Sequence, residues 1–333
     1  MIRSQFTEKL GLQYPLMSAP MSMHSSGRLA AAVSNAGALG TFGGTTGGGS
    51  DWLRQEIRLA KEHTDRSFGV GFITHLFPEF PSLFDVALEE RVPVLAFSFA
   101  DPAPFAAQAK AAGATVICQV QTMSHAREAV AAGADILVAQ GNEAGGHTGE
   151  MNLLPLLVSI LDAYPDLPVV AAGGIATGRA LAAVLAAGAD GACVGTAFLA
   201  TMECTDVSAA YKDAIVESDG EDTVYTRVMD IIQAKVMGIP PWPAGIAERS
   251  RREPLTDKWH GRESELLASI DSAVEEYKAI RASGKIGVLM GQGAAAVTSI
   301  RTAAEVVTSI CDDAERLLRN SARLVGQENH SPR

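Results

Sequence analysis

The densest chemistry in the chain lies between Ala139 and Glu150. Gln140, Glu143, His147 and Glu150 stand there among four glycines, Gly141, Gly145, Gly146 and Gly149. The run leading in, 135–140, is apolar between its first and last residues. A buried strand that opens into a glycine-rich loop lets backbone approach a ligand closely. His147 is the only side chain of the loop that titrates near neutral pH without help, which makes it the candidate acid–base group; a solvent-facing loop histidine is the plain alternative. Glu143 reads as structural, capping the following backbone or holding the loop closed. Gln140 can both donate and accept hydrogen bonds. His24, His75 and His125 fall just after other strand ends and could line the same cleft. No metal-ligand spacing such as H-E-x-x-H accompanies them, so no metal is expected. His63, His260 and His330 read as structural or surface residues.

Other strand ends supply a second kind of chemistry. Gly173-Gly174 precedes a helix near Thr177, and Gly195-Thr196 ends the last apolar run. Glycines followed by a helix N-terminus suit a phosphate, because free N–H groups and the helix dipole both favour an anion. Ala19-Pro20-Met21 offers backbone and a soft thioether to a flat ring. Gly69 and Gly71 thin out another strand. Gly291-Gln292-Gly293 either folds back over such a ring or is a helix entry. A flat heteroaromatic with a phosphate tail fits this set, and FMN is the natural candidate.

These residues need a frame that gathers strand ends. Apolar runs at 15–21, 38–42, 68–73, 92–99, 115–120, 135–140, 168–172 and 191–196 alternate with helical stretches at 28–35, 51–63 (capped by Ser50 or Asp51), 80–90, 103–112, 124–132, 153–164 and 177–187. The joints Ala36-Gly37-Ala38, Ala112-Gly113-Ala114, Ala132-Gly133-Ala134 and Ala187-Gly188-Ala189 each close a helix before an apolar run, where a helix end favours a left-handed glycine. Eight strands that are apolar throughout predict an α/β fold, a (β/α)8 TIM barrel with its chemistry at the C-terminal strand ends. An open doubly wound sheet is the runner-up, disfavoured because no G-x-G-x-x-G follows the first strand. The expected organisation is a barrel over 1–202 that binds FMN, a partly helical insertion over 203–285 covering the active-site end, and a glycine-rich loop and helix over 286–333 that pack back on the barrel. Helices are expected in the insertion at 208–217, 224–236 and 263–282, then a closing helix over 294–318 and a frayed tail over 327–333. Trp242, Trp259 and Arg262 either rim the substrate mouth or serve the insertion's own core, and the second reading is the default.

The 333 residues are 47% hydrophobic and carry a net charge of −11. That balance argues against nucleic acid or an anionic membrane as partner. Cys118, Cys193, Cys204 and Cys311 form no C-x-x-C pair, which fits a reduced cytoplasmic compartment without disulfides. No signal-peptide pattern opens the chain, and no apolar window is long enough to span a membrane. The expected partners are a small-molecule substrate and O2, in a monomer or homodimer.

The motif Gln140-Gly141-Asn142-Glu143-Ala144-Gly145-Gly146-His147, with Ala171-Ala172-Gly173-Gly174-Ile175, Val194-Gly195-Thr196-Ala197-Phe198-Leu199 and Pro15-Leu16-Met17-Ser18-Ala19-Pro20-Met21, resembles the nitronate monooxygenase family, formerly called 2-nitropropane dioxygenases. The resemblance implies an FMN-dependent TIM barrel. It implies flavin contacts at Ala19, Pro20, Met21, Gln140, Gly145, Gly173, Gly174, Gly195 and Thr196, and His147 as the base for neutral nitroalkanes. It implies oxidation of alkyl nitronates by O2, through a flavin semiquinone, to a carbonyl compound and nitrite. The chain departs from the family pattern at Gly71, where Asn is usual, and at Ala197, where Arg is common. FMN-dependent NAD(P)H reductases of quinones or enoyl thioesters share the signature and are the alternative. A non-catalytic FMN-binding barrel is the third reading.

Overall fold

The apolar runs pair as eight parallel strands: β1 (Leu16–Ser18), β2 (Gly40–Gly43), β3 (Phe68–Ile73), β4 (Val94–Ser98), β5 (Thr115–Val120), β6 (Ile136–Gln140), β8 (Val169–Ala172) and β9 (Gly191–Val194). A short strand β7 (Gly146–Thr148) lies outside this sheet. The computed structural model describes residues 2–282 and 287–321. The order β1-β9-β8-β6-β5-β4-β3-β2 closes into a barrel through a bridge between Met17 and Leu39. The (β/α)8 barrel is therefore the architecture, as the alternation of runs predicts. The four Ala-Gly-Ala joints behave alike, with Gly37, Gly113, Gly133 and Gly188 at φ between 85° and 106°.

Two cores follow from strands covered on both faces. Phe6, Met17, Leu39, Ile117, Ile136 and Val170 fill the barrel interior, and a larger layer lies between strands and helices. Phe6 belongs to a helix, Gln5–Leu10, that the sequence reading did not include. It is pinned where Ser4 Oγ donates to the Asp190 carbonyl at 2.6 Å.

The insertion departs from expectation in its pattern of elements. Residues 224–236 are not one helix. β10 (Thr223–Thr226) comes first and the helix Val228–Met237 follows. β-branched and aromatic residues in Thr223-Val224-Tyr225-Thr226 favour the strand. β11 (Ala247–Arg251) and the helix Pro254–Trp259 were also not foreseen. The stretch 263–282 divides at Ser269 into Glu263–Ala268 and Ile270–Ala282. Trp259 packs with Val228, Ile232, Leu255 and Leu266 in a separate small core. The expected closing helix is a 3-10 turn, Gln292–Ala296, followed by the helix Ala303–Ser321. The third helix starts at Gly49 with Gly48 as its cap, not at Ser50 or Asp51. Residues 283–286, the expected frayed tail at 327–333 and His330 lie outside the described residues. Among the described residues no helix is long and apolar enough to cross a membrane, and all four cysteines are free and buried.

Candidate active site

His147 is carried by β7, which the insertion takes into a second sheet of order β10-β11-β7. In its register His147 lies opposite Glu248, and Glu248 opposite Thr226. Directly opposed residues project to the same face of an antiparallel pair, so the imidazole and the Glu248 carboxyl share a face. Asp230, in the first turn of the helix after β10, arrives at the same place. Its Oδ1 lies 2.6 Å from His147 Nε2. One ligand atom from each of His147, Asp230 and Glu248 lies within 4.8 Å of the others. Asp230 and Glu248 are buried, and Asp230 Oδ2 has no hydrogen-bond partner. Burial, and then the neighbouring Asp230 carboxylate, push the Glu248 carboxyl well above the usual carboxylate range.

The hydrogen bond to Asp230 assigns the neutral imidazole its proton at Nε2, which leaves Nδ1 as the basic nitrogen. One face of that ring is covered. The Trp242 indole stacks on it with ring centroids 3.4 Å apart and planes 12° from parallel. Phe99 and His75 meet Trp242 edge-on at 5.1 and 4.6 Å. Trp242 thus belongs to the mouth of the site rather than to the insertion's core, against the default reading, while Trp259 follows it. Arg262 lies over Trp259 and pairs with Glu265, away from the mouth. Both ring nitrogens of His75 are buried without partners. Burial, with His147 nearby, lowers its pKa to about 4. His75 is therefore a neutral wall of the cleft at physiological pH. Phe99 holds φ of 70°, a left-handed conformation that a non-glycine residue adopts only where its surroundings hold it.

The remaining loop residues brace His147. Gln140 Nε2 donates to the His147 carbonyl at 3.0 Å, while its Oε1 accepts from Gln121 Nε2 at 2.9 Å. His125 joins this chain through Gln121, 3.1 Å away. Both Glu143 carboxylate oxygens accept from the Leu153 N–H, at 3.2 and 3.0 Å, capping the helix Leu153–Ala163. Its structural reading stands. Arg249 clamps the loop, with Nε 2.8 Å from the Asn142 carbonyl and Nη2 2.5 Å from Asn142 Oδ1. His24 sits under Tyr211, its Nδ1 2.9 Å from the Ser22 carbonyl.

Glycines at the end of β8 lie against the same loop. Gly173 and Gly174 hold φ of 115° and 67° just before the helix Gly178–Ala186, whose cap is Thr177. Gly195 faces Ala19 and Met21, where an added Cβ would lie 3.6 Å from Ala19 Cβ and from Met21 Sδ. The missing side chain leaves that space open between the ends of β1 and β9. The Gly291-Gln292-Gly293 segment packs against these ends and is also a helix entry, with Gly291 capping the 3-10 turn Gln292–Ala296. Gly291 N–H donates to Thr196 Oγ1 and Gln292 N–H to the Glu143 carbonyl, each at 3.0 Å. The Gln292 side chain is exposed. Gly145 is required by the same closure, since a Cβ there would stand 2.5 Å from the Gly291 nitrogen. These small residues fit a phosphate and a flat ring.

Gly71 differs from expectation. A Cβ there would come within 2.3 Å of Pro20 Cβ, so the absent side chain admits the Pro20 ring rather than a ligand. An asparagine at this position would not fit against Pro20 as placed.

Asp230 and Glu248 were missed in the sequence. The available signal was an acid embedded in Val228-Met229-Asp230-Ile231-Ile232, where burial demands a partner.

The chain is 38% identical over 236 residues to (3aS,4S,5R,7aS)-5-hydroxy-7a-methyl-1-oxo-octahydro-1H-indene-4-carboxyl-CoA dehydrogenase of Rhodococcus jostii, covering 71% of this chain but only 66% of that relative. It is 34% identical to a nitronate monooxygenase of Pseudomonas aeruginosa, over 72% of this chain and 84% of the relative. The solved structure of FabK from Thermotoga maritima superposes with a TM-score of 0.82 at 31% identity, covering 98% of this chain and all of that one. The model of the nitronate monooxygenase family matches residues 3–82 and 79–313. With the barrel, the glycine cradle and His147 in place, the chain belongs to the nitronate monooxygenase family of flavin-dependent oxidoreductases.

Proposed function

We propose that this enzyme binds FMN and oxidises alkyl nitronates, and neutral nitroalkanes after removing their α-proton, with O2 as co-substrate. The observation that carries this reading is the His147–Asp230 pair, a base with an assigned tautomer on the loop that packs against Gly173 and Gly174. Gly173, Gly174, Gly195 and Thr196 would hold the phosphate end, and Ala19, Pro20, Met21, Gln140 and Gly145 the ring end. FMN bound there supplies the electron acceptor that links nitronate oxidation to O2, giving a carbonyl compound and nitrite.

The chain's own residues handle the proton. His147 Nδ1 takes the α-hydrogen of the nitroalkane, and the C–H electron pair stays with the substrate as the nitronate. Asp230 then stands 2.6 Å from the new imidazolium and balances its charge. A preformed nitronate has no proton to give and bypasses this step. Trp242, Phe99 and neutral His75 keep the wall beside the imidazole apolar and displace water, which strengthens the electrostatic pairing.

The Rhodococcus relative favours a second reading, an oxidoreductase of acyl thioesters, in which the same base would face an α-proton beside a thioester carbonyl. Anaerobic mixing of the flavin-loaded enzyme with a small alkyl nitronate, NADH or NADPH separates these readings. Rapid flavin bleaching by the nitronate, with nitrite released in air, is expected. Bleaching only by NADH or NADPH would replace the first reading with a reductase.

A further inference from the structure

The buried side of the imidazole carries an inference that rests on His147 as the acid–base group. Three elements bring three titratable groups together: β7 supplies His147, the helix Val228–Met237 supplies Asp230, and β11 supplies Glu248. Their ligand atoms lie within 4.8 Å of one another. Two carboxyls this close and this buried do not both ionise at neutral pH unless a cation joins them. Among the described residues no lysine or arginine pairs with either. Arg249, next to Glu248, points to the other face and is spent on Asn142 and Thr223. Asp230 has the donor, His147 Nε2, so the ionised form belongs to Asp230. Glu248 is 3% exposed, and burial with Asp230 beside it favours its neutral form.

The other groups around the cluster leave this assignment intact. Glu253, the cap of the helix Pro254–Trp259, adds another acid near Glu248. Tyr211 also faces Glu248, but its hydroxyl is occupied by the Leu289 backbone. Tyr225 faces Asp230 from β10, but its hydroxyl donates to the carbonyls of Thr148 and Gly245. His75 stands beyond His147 as a neutral ring. The unfilled position is Oδ2 of Asp230, buried and without a donor.

We propose that His147, Asp230 and Glu248 form one acid–base unit in which Glu248 is a positioning residue: as a neutral carboxylic acid it donates to Asp230 Oδ2 and keeps Asp230 ionised and turned toward the imidazole. During turnover the substrate C–H bond breaks and an N–H bond forms at Nδ1. Asp230 stays a carboxylate, and Glu248 keeps its proton. When rising pH removes that proton, Oδ2 loses its donor and faces a second carboxylate. The ring is then no longer held, and the rate with neutral nitroalkanes falls.

Infrared spectroscopy of the flavin-loaded protein tests this. At neutral pH the parent is expected to show the carbonyl stretch of a protonated carboxylic acid, shifted when glutamate carboxyls carry carbon-13. Glu248→Gln removes the band and Glu253→Gln leaves it. In the parent the band titrates away at alkaline pH, and kcat/KM for a neutral nitroalkane declines over the same range. Glu248→Ala, with no donor, loses about tenfold or more in that rate. Glu248→Gln restores most of it and lacks the alkaline decline. A band indifferent to Glu248→Gln, or no such band in the carbon-13-labelled parent at neutral pH, would overturn the proposal. If His147→Ala left nitroalkane turnover intact while the Glu248 band persisted, the reading of function would fail and the buried proton would stand.

Discussion

His147 has one ring nitrogen for chemistry because the other is committed to Asp230. Removing the imidazole, as in His147→Ala, is expected to slow neutral nitroalkanes by about 10²-fold or more, the usual scale of general-base catalysis. Preformed nitronates should be nearly unaffected. Asp230→Asn should slow neutral nitroalkanes by about 10²-fold, because an amide can donate to Nε2 as readily as accept from it and no longer fixes the tautomer. Steady-state rates for matched nitroalkane and nitronate pairs check both variants. An equal loss on the two substrates would mean that these residues serve binding rather than proton removal. His147 could be found in the sequence because glycines and a strand end surround it. Asp230 could not be placed beside it, since 83 residues separate the two and only the folded insertion joins them. The same holds for Trp242: nothing in its proline-rich neighbourhood says which ring it covers.

Among elements, the barrel strands were legible and the insertion's sheet was not. Parallel strands buried on both faces announce themselves as unbroken apolar runs, and β3 and β5 match their expected bounds. β11 reads Ala247-Glu248-Arg249-Ser250-Arg251, which no hydropathy pattern marks as a strand, yet Glu248, Arg249 and Ser250 are all buried. Its polar side chains serve the loop and the site: Arg249 clamps Asn142, and Glu248 backs Asp230. This placement has a thermodynamic consequence. The folded value for Glu248 is raised, so its contribution to stability is complete below the ordinary carboxylate range and is lost as pH rises through the raised value. Glu248→Gln is neutral at every pH and should remove that decline. The difference in Tm between variant and parent is expected to be small in acid and to grow in the variant's favour toward alkaline pH. A Tm difference that stays constant with pH would mean that Glu248 ionises as an ordinary carboxylate.

At the scale of the whole molecule, the final helix Ala303–Ser321 closes the seam where the first and last barrel units meet. It packs on both Gly178–Ala186 and Gly27–Asn35. The sequence anticipated a closing helix but not its contact, which depends on one missing side chain. A Cβ on Gly178 would stand 2.5 Å from Asp313 Cβ and 2.7 Å from the Ala314 nitrogen. Alanine normally favours a helical position over glycine by about 1 kcal/mol. Here it must push the final helix away, and overpacking of this kind costs about 1–3 kcal/mol, so the net effect should be destabilising. Gly178 also begins the helix that follows Gly173-Gly174, so the displacement reaches the proposed phosphate cradle. Gly178→Ala is therefore expected to lower Tm and to reduce the flavin retained per protein after gel filtration. Gly47→Ala, with nothing within 4 Å of the added Cβ, is the matched control and should change neither. A Gly178→Ala protein that gains Tm while keeping its flavin would show that the helix seam yields at little cost and that the cradle does not depend on it.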